Sequence, residues 1–284
     1  MNILENVTLG KHYFSTAMLL RESLFLNGIL TNCEIWYGLT TSEIKELDNL
    51  DKSLLHKIMN TPFSTPGESL YLELGIMNIE TTIKSRRINY LHYLASRKET
   101  EMLHNFFKTQ WKYPTNKKDW TEMVKLDLED FGIPADLDFI KSKTKLTFKN
   151  VVKIKSKEYC LMKLIEETGK HSKMQNLFYT DLKMQDYLKS NKFSTSEAKA
   201  VFSWRTRMVD FNENYKTSYG HIPCPLCHLH LDSQVMAFQC PEIKANINIV
   251  GKYEDIFNED IPQMLVQSVM KIMQYRETNV QERN

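Results

Sequence analysis

"TTSEIKELDNLDKSLLHKIM", residues 40–59, decides the fold class. Thr40 stands three residues before Glu43. At that spacing a threonine hydroxyl accepts from a helix's third free N–H while the glutamate reaches back to the cap. Ile44, Leu47, Leu54 and Ile58 follow at helical intervals and define one apolar side. Two prolines and a glycine in "NTPFSTPGES", 60–69, end the pattern. The stretch therefore predicts a helix of about five turns closed by a turn.

The same period extends outward. Upstream, Tyr13, Ala17, Leu20 and Leu24 predict a helix over 11–31 with these four on its inner face. Downstream, the pattern resumes from Leu70 to Ala95 with a break at Gly75, so the region reads as a helical hairpin. Short helices are predicted near 119–130 and 136–141, and a long one closes near Gly169, with Cys160 a buried thiol among apolar neighbours. Ser194 and Glu197 repeat the capping spacing ahead of Ala198, Val201, Phe202 and Val209. With glycine and proline scarce, the chain is mainly α. The loop "KYPTNKKDW", 112–120, divides an N-terminal portion, 1–112, from a helical region, 119–215. A cysteine-rich segment, 216–245, and a helical tail, 246–284, complete the expected organisation.

The stripe Ile79, Ile83, Tyr90, Leu94 calls for an apolar residue near 86 or 87, yet Arg86 and Arg87 stand there. Either a guanidinium snorkels or pairs internally with Glu73 or Glu80, or it binds phosphate, whose oxygens suit its planar fork. Basic and acidic residues number 37 and 35, so a net charge of +2 excludes a uniformly basic coat and leaves nucleic-acid binding to local patches. The richest patch is "KSKTKLTFKNVVKIKSK", 141–157, seven lysines without an acid, which reads as a solvated helix face or a phosphate track.

The N-terminus has no apolar core behind a basic start, and no window reaches the roughly 18 apolar residues of a membrane span. The expectation is a soluble chain of the cytoplasm or nucleus, with no membrane partner. Asn6-Val7-Thr8 is then a chance sequon. Five cysteines, three of them clustered, suit a reducing compartment and a metal site rather than a disulfide framework.

That cluster lies in "CPLCHLHLDSQVMAFQCP", 224–241. Cys224 and Cys227 have the Cys-x2-Cys spacing that turns two thiolates onto one zinc ion, and Cys240 supplies a third. For the fourth, His228 is crowded against Cys227, while His230 has the more natural reach. Met236 offers only a thioether, a poor zinc ligand. No glutamate stands at HExxH spacing from either histidine, so a catalytic zinc is not expected.

Three stretches together resemble a known family: "GKHYFSTAMLLRESLFLNGILTNCEIWYGLTTSEIKELDNLDKSLLHKI", then "TPGESLYLELGIMNIETTIKSRRINYLHYL", then "CPLC" with "DSQVMAFQC". The chain resembles the C-terminal part of the reverse transcriptase of non-LTR retrotransposons from about residue 9 to 240. The likeness is most specific in "LYLELG", "RRINYLHYL", "WRTRM" and the cysteines. It implies a thumb-like helical bundle over 1–112, a helical linker over 119–215 and a small CCHC-like zinc knuckle over 216–245. The family's knuckle, Cys-x2-Cys-x8-His-x3-Cys, maps onto Cys224, Cys227, position 236 and Cys240, with Met236 in place of the histidine.

The resemblance also implies RNA or an RNA–DNA hybrid as partner. Its phosphates would be met by Lys84, Arg86 and Arg87 on the thumb, Lys149, Lys153, Lys155 and Lys157 on the linker, and Arg205 and Arg207 before the knuckle. Polymerase chemistry needs converging carboxylates on two metal ions, and the family's paired aspartates are missing: no Asp-Asp dipeptide occurs. A non-catalytic protein with no catalytic residues is therefore expected. The competing expectation is a decayed reading frame or helical interaction scaffold without nucleic-acid function.

Overall fold

The structure is a computed structural model that describes residues 12–114, 119–171, 174, 177–189, 192–215 and 222–281. The expected start of the first helix at 11, the chance sequon and part of the 112–120 loop lie outside the described residues. Helices dominate, as the capping signals predict, and among the described residues the β-structure is an isolated bridge between Pro223 and Leu231.

Helix α1, Tyr13–Leu20, continues through a π-helical stretch, Arg21–Leu26, into a final turn α2, Asn27–Ile29. Phe14, Ala17, Arg21, Leu26 and Leu30 are buried. Their one long step, five residues, crosses the π-helical stretch, where the widened turn rotates the inner face. For this reason Leu24, expected inside, is 57% exposed. Helix α3, Thr41–Met59, opens on the predicted reciprocal box between Thr40 and Glu43 and closes on Asn60 in the left-handed conformation. Its buried side is Asp51, Leu55, His56, Ile58 and Met59, about a residue's turn away from the side the sequence suggested. Asp51 draws the helix over because it receives two hydrogen bonds from the buried Arg21 and one from Tyr71.

Helix α4, Gly67–Leu74, ends at Gly75, whose φ of +63° closes the helix before Asn78 caps α5, Ile79–Ala95. A Cβ at Gly75 would stand 2.0 Å from the backbone of Lys183 and Met184, so this position needs glycine for space as well as for torsion. Helices α6 (Met102–Lys112), α7 (Trp120–Asp130) and α8 (Leu137–Lys141) wrap around the second half of α5. Helix α9, Lys145–Thr168, lies along α5. Two short elements follow, α10 (Asp186–Lys189) and α11 (Thr195–Arg205), the latter opening on the predicted Ser194–Glu197 box. The chain then forms the cysteine segment with α12 (Gln234–Ala237) and α13 (Pro241–Asn246), and ends in α14, Gln263–Gln281.

Three apolar clusters hold these elements. One packs Leu26, Leu30 and Cys33 on Ile79 and Ile83. A second joins Ile88 and Leu91 to Phe107, Val124, Leu128, Phe148 and Val152. The largest collects Phe14, Leu55, Tyr71 and Leu74 with Cys160, Trp204, Phe238, Cys240 and Ile272. Helix α9 thus joins two cores, giving Phe148 and Val152 to one and Cys160 and Leu164 to the other. No described helix is long and apolar enough to cross a membrane.

Candidate functional site

Two groupings of chemically capable side chains stand out: a cleft between α5 and α9, and the cysteine cluster. On α5 the buried stripe runs Ile79, Ile83, Arg87, Leu91, with Tyr90 only half-buried. Arg87 is the guanidinium on the inner face, 3% exposed, and its Nη1 donates to Asp127 at 2.8 Å. The partner is therefore Asp127, not Glu73 or Glu80. Burial pushes the Asp127 carboxyl up to about 6 against the pull of Arg87 and Lys84.

Most of the expected phosphate contacts are engaged within the protein. Lys84 pairs with Glu80 and Asp130, both at 2.7 Å, and donates to the Tyr159 hydroxyl. Burial disfavours its charge, but its bonds to Asp130 and Glu80 outweigh that and hold its pKa above the ordinary lysine range. Arg205 is buried and donates to Glu73 at 2.9 Å and to the Ile256 carbonyl. The same carboxylate accepts from Tyr179 and Tyr187, so three donors meet on Glu73. Arg207, at φ +55°, turns toward Tyr253. Lys155 pairs with Glu158, and Lys157 donates to the Leu182 carbonyl. In these contacts Lys84, Arg87 and Arg205 tie helices together, and a sequence cannot show which acid folds back on which base.

Lys149 and Lys153 differ. Both are exposed on α9, as is Lys145 one turn before them, and among the described residues none of the three makes an ion pair. The three follow at four-residue steps, about 6 Å apart along the axis, beside the buried seam Phe148–Val152–Ser156. Lys145 and Lys149 face α5 across a cleft of about 390 Å³, lined from the α5 side by Arg86, Asn89, Tyr90 and Tyr93. Arg86 keeps its place there by donating to the Leu30 carbonyl and to Asn27 Oδ1. Glu34 adds one acid, and His92 stacks on Phe148 with its Nε2 3.0 Å from the Lys143 carbonyl, fixing the floor. Tyr90 and Tyr93 stack at 5.6 Å with 20° between their planes. Lys145, Tyr90 and Tyr93 were not among the residues expected from sequence. The signal was present in the spacing of residues 86, 89, 90 and 93, which places all four on one helix face.

In the cysteine segment, Cys224 N–H donates to the His230 carbonyl at 2.7 Å and His228 N–H to the Cys224 carbonyl at 2.9 Å, folding Cys-x2-Cys into a tight loop. His228 takes the left-handed conformation at φ +57°. Ser233 caps α12 through Met236 N–H, and Cys240 stands just before α13. The sulfurs of Cys224, Cys227 and Cys240 lie within 4.8 Å of one another, with Cys224 and Cys240 at 4.0 Å. Tetrahedral zinc with bonds of about 2.3 Å sets sulfurs about 3.8 Å apart, so the three thiols fit a metal ion.

Burial raises the Cys227 thiol, but hydrogen bonds from the backbone N–H groups of Leu229 and His230 outweigh it and hold its pKa below the ordinary value. Burial pushes Cys240 up to about 12 despite the Ile243 N–H. The donor set suits a cation that would hold both sulfurs as thiolates. Among the described residues the group comprises the three cysteines. The expected fourth ligand, His230, is outside it and contributes its carbonyl to the loop. Asp232 anchors the segment to α14 through Arg276 at 2.8 Å.

No protein-family model, curated protein or solved structure matches the chain.

Proposed function

We propose that the chain is a non-catalytic C-terminal portion of a non-LTR retrotransposon reverse transcriptase that binds RNA or an RNA–DNA hybrid through its phosphate backbone, with zinc on the three cysteines as a structural ion. The observation that carries this reading is the row Lys145, Lys149, Lys153, exposed, without an acid partner among the described residues and set beside an aromatic-lined cleft. A row of cations stepping about 6 Å along a helix suits the repeat of a strand's phosphates. The quoted motifs supply the family context of this reading, in which the row would belong to the linker rather than the thumb.

The test is fluorescence anisotropy with labelled RNA across a salt series. Changing Lys145, Lys149 and Lys153 together to alanine breaks no side-chain hydrogen bond or ion pair among the described residues. It is expected to weaken binding and to lower the slope of log affinity against log salt by about 2. An unaltered slope overturns the proposal. The competing scaffold reading draws on the inward-turned Lys84, Arg87 and Arg205, and predicts that same unaltered slope, with affinity no greater than that of unrelated proteins with lysine patches.

A further inference from the structure

Phosphate contacts alone leave the aromatic wall of the cleft without a purpose. Arg86, Asn89, Tyr90 and Tyr93 occupy one face of α5, and Lys145, Phe148 and Lys149 one face of α9. With His92 and the single acid Glu34 they line an open cleft of about 390 Å³, within the range of about 300–1,000 Å³ typical of small-ligand clefts, in which three cations face one carboxylate. Tyr93 is 45% exposed, an unusual position for a ring that is already oriented by stacking on Tyr90. Tyr90 is in turn braced edge-on by Trp120 at 5.9 Å, whose indole N–H donates to the Glu34 carbonyl. Arg97 lies 4.9 Å over the Tyr93 ring and is held by Glu101. The wall is therefore pre-set, and a ligand that used it would lose little side-chain freedom on binding.

A flat π-system is what such a wall receives best, and the two lysines at the rim favour one with anionic groups on either side. An unpaired nucleotide has both properties. A base inside a duplex has both faces covered by its neighbours and cannot enter. Asn89 donates its amide N–H to the Ser85 carbonyl, which leaves Oδ1 as a fixed acceptor for a base edge. We infer that the cleft between α5 and α9 seats one unpaired base of a single-stranded nucleic acid against Tyr90 and Tyr93, with Lys145 and Lys149 on the flanking phosphates. This inference rests on the nucleic-acid reading above and narrows it from RNA or hybrid to an unpaired segment.

The experiment compares three labelled ligands of equal length on the full chain: a single-stranded oligoribonucleotide, its duplex, and a single strand with abasic sites at its centre. Wild type is expected to prefer the base-bearing single strand by roughly tenfold over the abasic one. Tyr93→Ala is expected to erase that preference, and Tyr93→Phe, which keeps the ring, to retain it. Equal affinity of wild type for the base-bearing and abasic strands, or Tyr93→Phe behaving as Tyr93→Ala does, overturns the inference. The triple lysine variant separates the two levels. If it loses all three ligands while the Tyr93 variants change nothing, backbone binding stands and the base pocket falls. If it loses none, the nucleic-acid reading itself falls.

Discussion

Replacing Arg87 by alanine is expected to cost stability in a pH-dependent way, because it removes the cation beside a carboxylate that burial has already raised to about 6. The ordinary value is 3.8, so between pH 3.8 and 6 the folded chain holds a proton on Asp127 more firmly than the unfolded chain does. Stability from this group is therefore greatest below that window and falls as pH rises through it, by about 3 kcal/mol in the wild type. Without Arg87 the folded pKa moves higher still and the window extends upward. At pH 8 the variant must either ionise Asp127 without a partner or hold a proton against the solution, and a loss of about 3–5 kcal/mol is expected. At pH 5 Asp127 is protonated with or without Arg87, and the loss shrinks to the missing hydrogen bond, about 2 kcal/mol. Urea unfolding followed by far-ultraviolet circular dichroism at the two pH values measures both, each against wild type. Equal losses at pH 5 and pH 8, or a loss below about 1 kcal/mol at pH 8, would refute the reasoning. Arg87→Met combined with Asp127→Leu is expected to recover most of the stability, since an apolar pair of similar volume needs no compensation. The same arithmetic bears on function: weakened nucleic-acid binding in an Arg87 variant would report a loosened α5–α7 contact rather than a lost phosphate.

Two further outcomes are expected. Purified protein is expected to carry about one equivalent of zinc by elemental analysis and Cys240→Ser to lose it; Met236→His is expected to tighten retention against a chelator, and a wild type free of metal would exclude the site. Gly75→Ala is expected to cost roughly 3 kcal/mol or more, whereas Gly38→Ala, also at positive φ but with nothing within 4 Å of the new Cβ, is expected to cost about 1–2 kcal/mol. Similar losses at both glycines would show that the backbone of 183–184 yields to the new atom.

What the sequence revealed and what it concealed divide along a physical line. Caps are local: Thr40 with Glu43 and Ser194 with Glu197 formed where spacing predicted them, because both partners lie within one turn. Element type was likewise legible in the apolar period. The inner face was less so wherever a buried charge took part, since Arg21 and Asp51 occupy core positions that hydropathy assigns to the surface. Of the two site groupings, the cysteine spacing was plain, but the fate of the basic residues was not. Arg87 meets Asp127 forty residues on and Arg205 meets Glu73 across 132. Such pairings depend on the packing of whole helices, and a one-dimensional pattern carries no trace of them. The lysines that remain outward share a helix edge whose neighbour, α5, is likewise fixed only by tertiary contact.

The Glu73 cluster also bears on how the chain can be divided. Its carboxylate belongs to α4, while the described side chains that donate to it, Tyr179, Tyr187 and Arg205, come from residues 179–205. A backbone cut in the 112–120 connection would leave one piece with a buried acid lacking these donors and the other with two tyrosyl hydroxyls lacking that acceptor and an arginine left with the Ile256 carbonyl. Neither half hides those groups alone, yet each presents what the other lacks. Pieces separated at that cut are therefore expected to be unstable alone and to regain structure on mixing, which circular dichroism of the mixture measures.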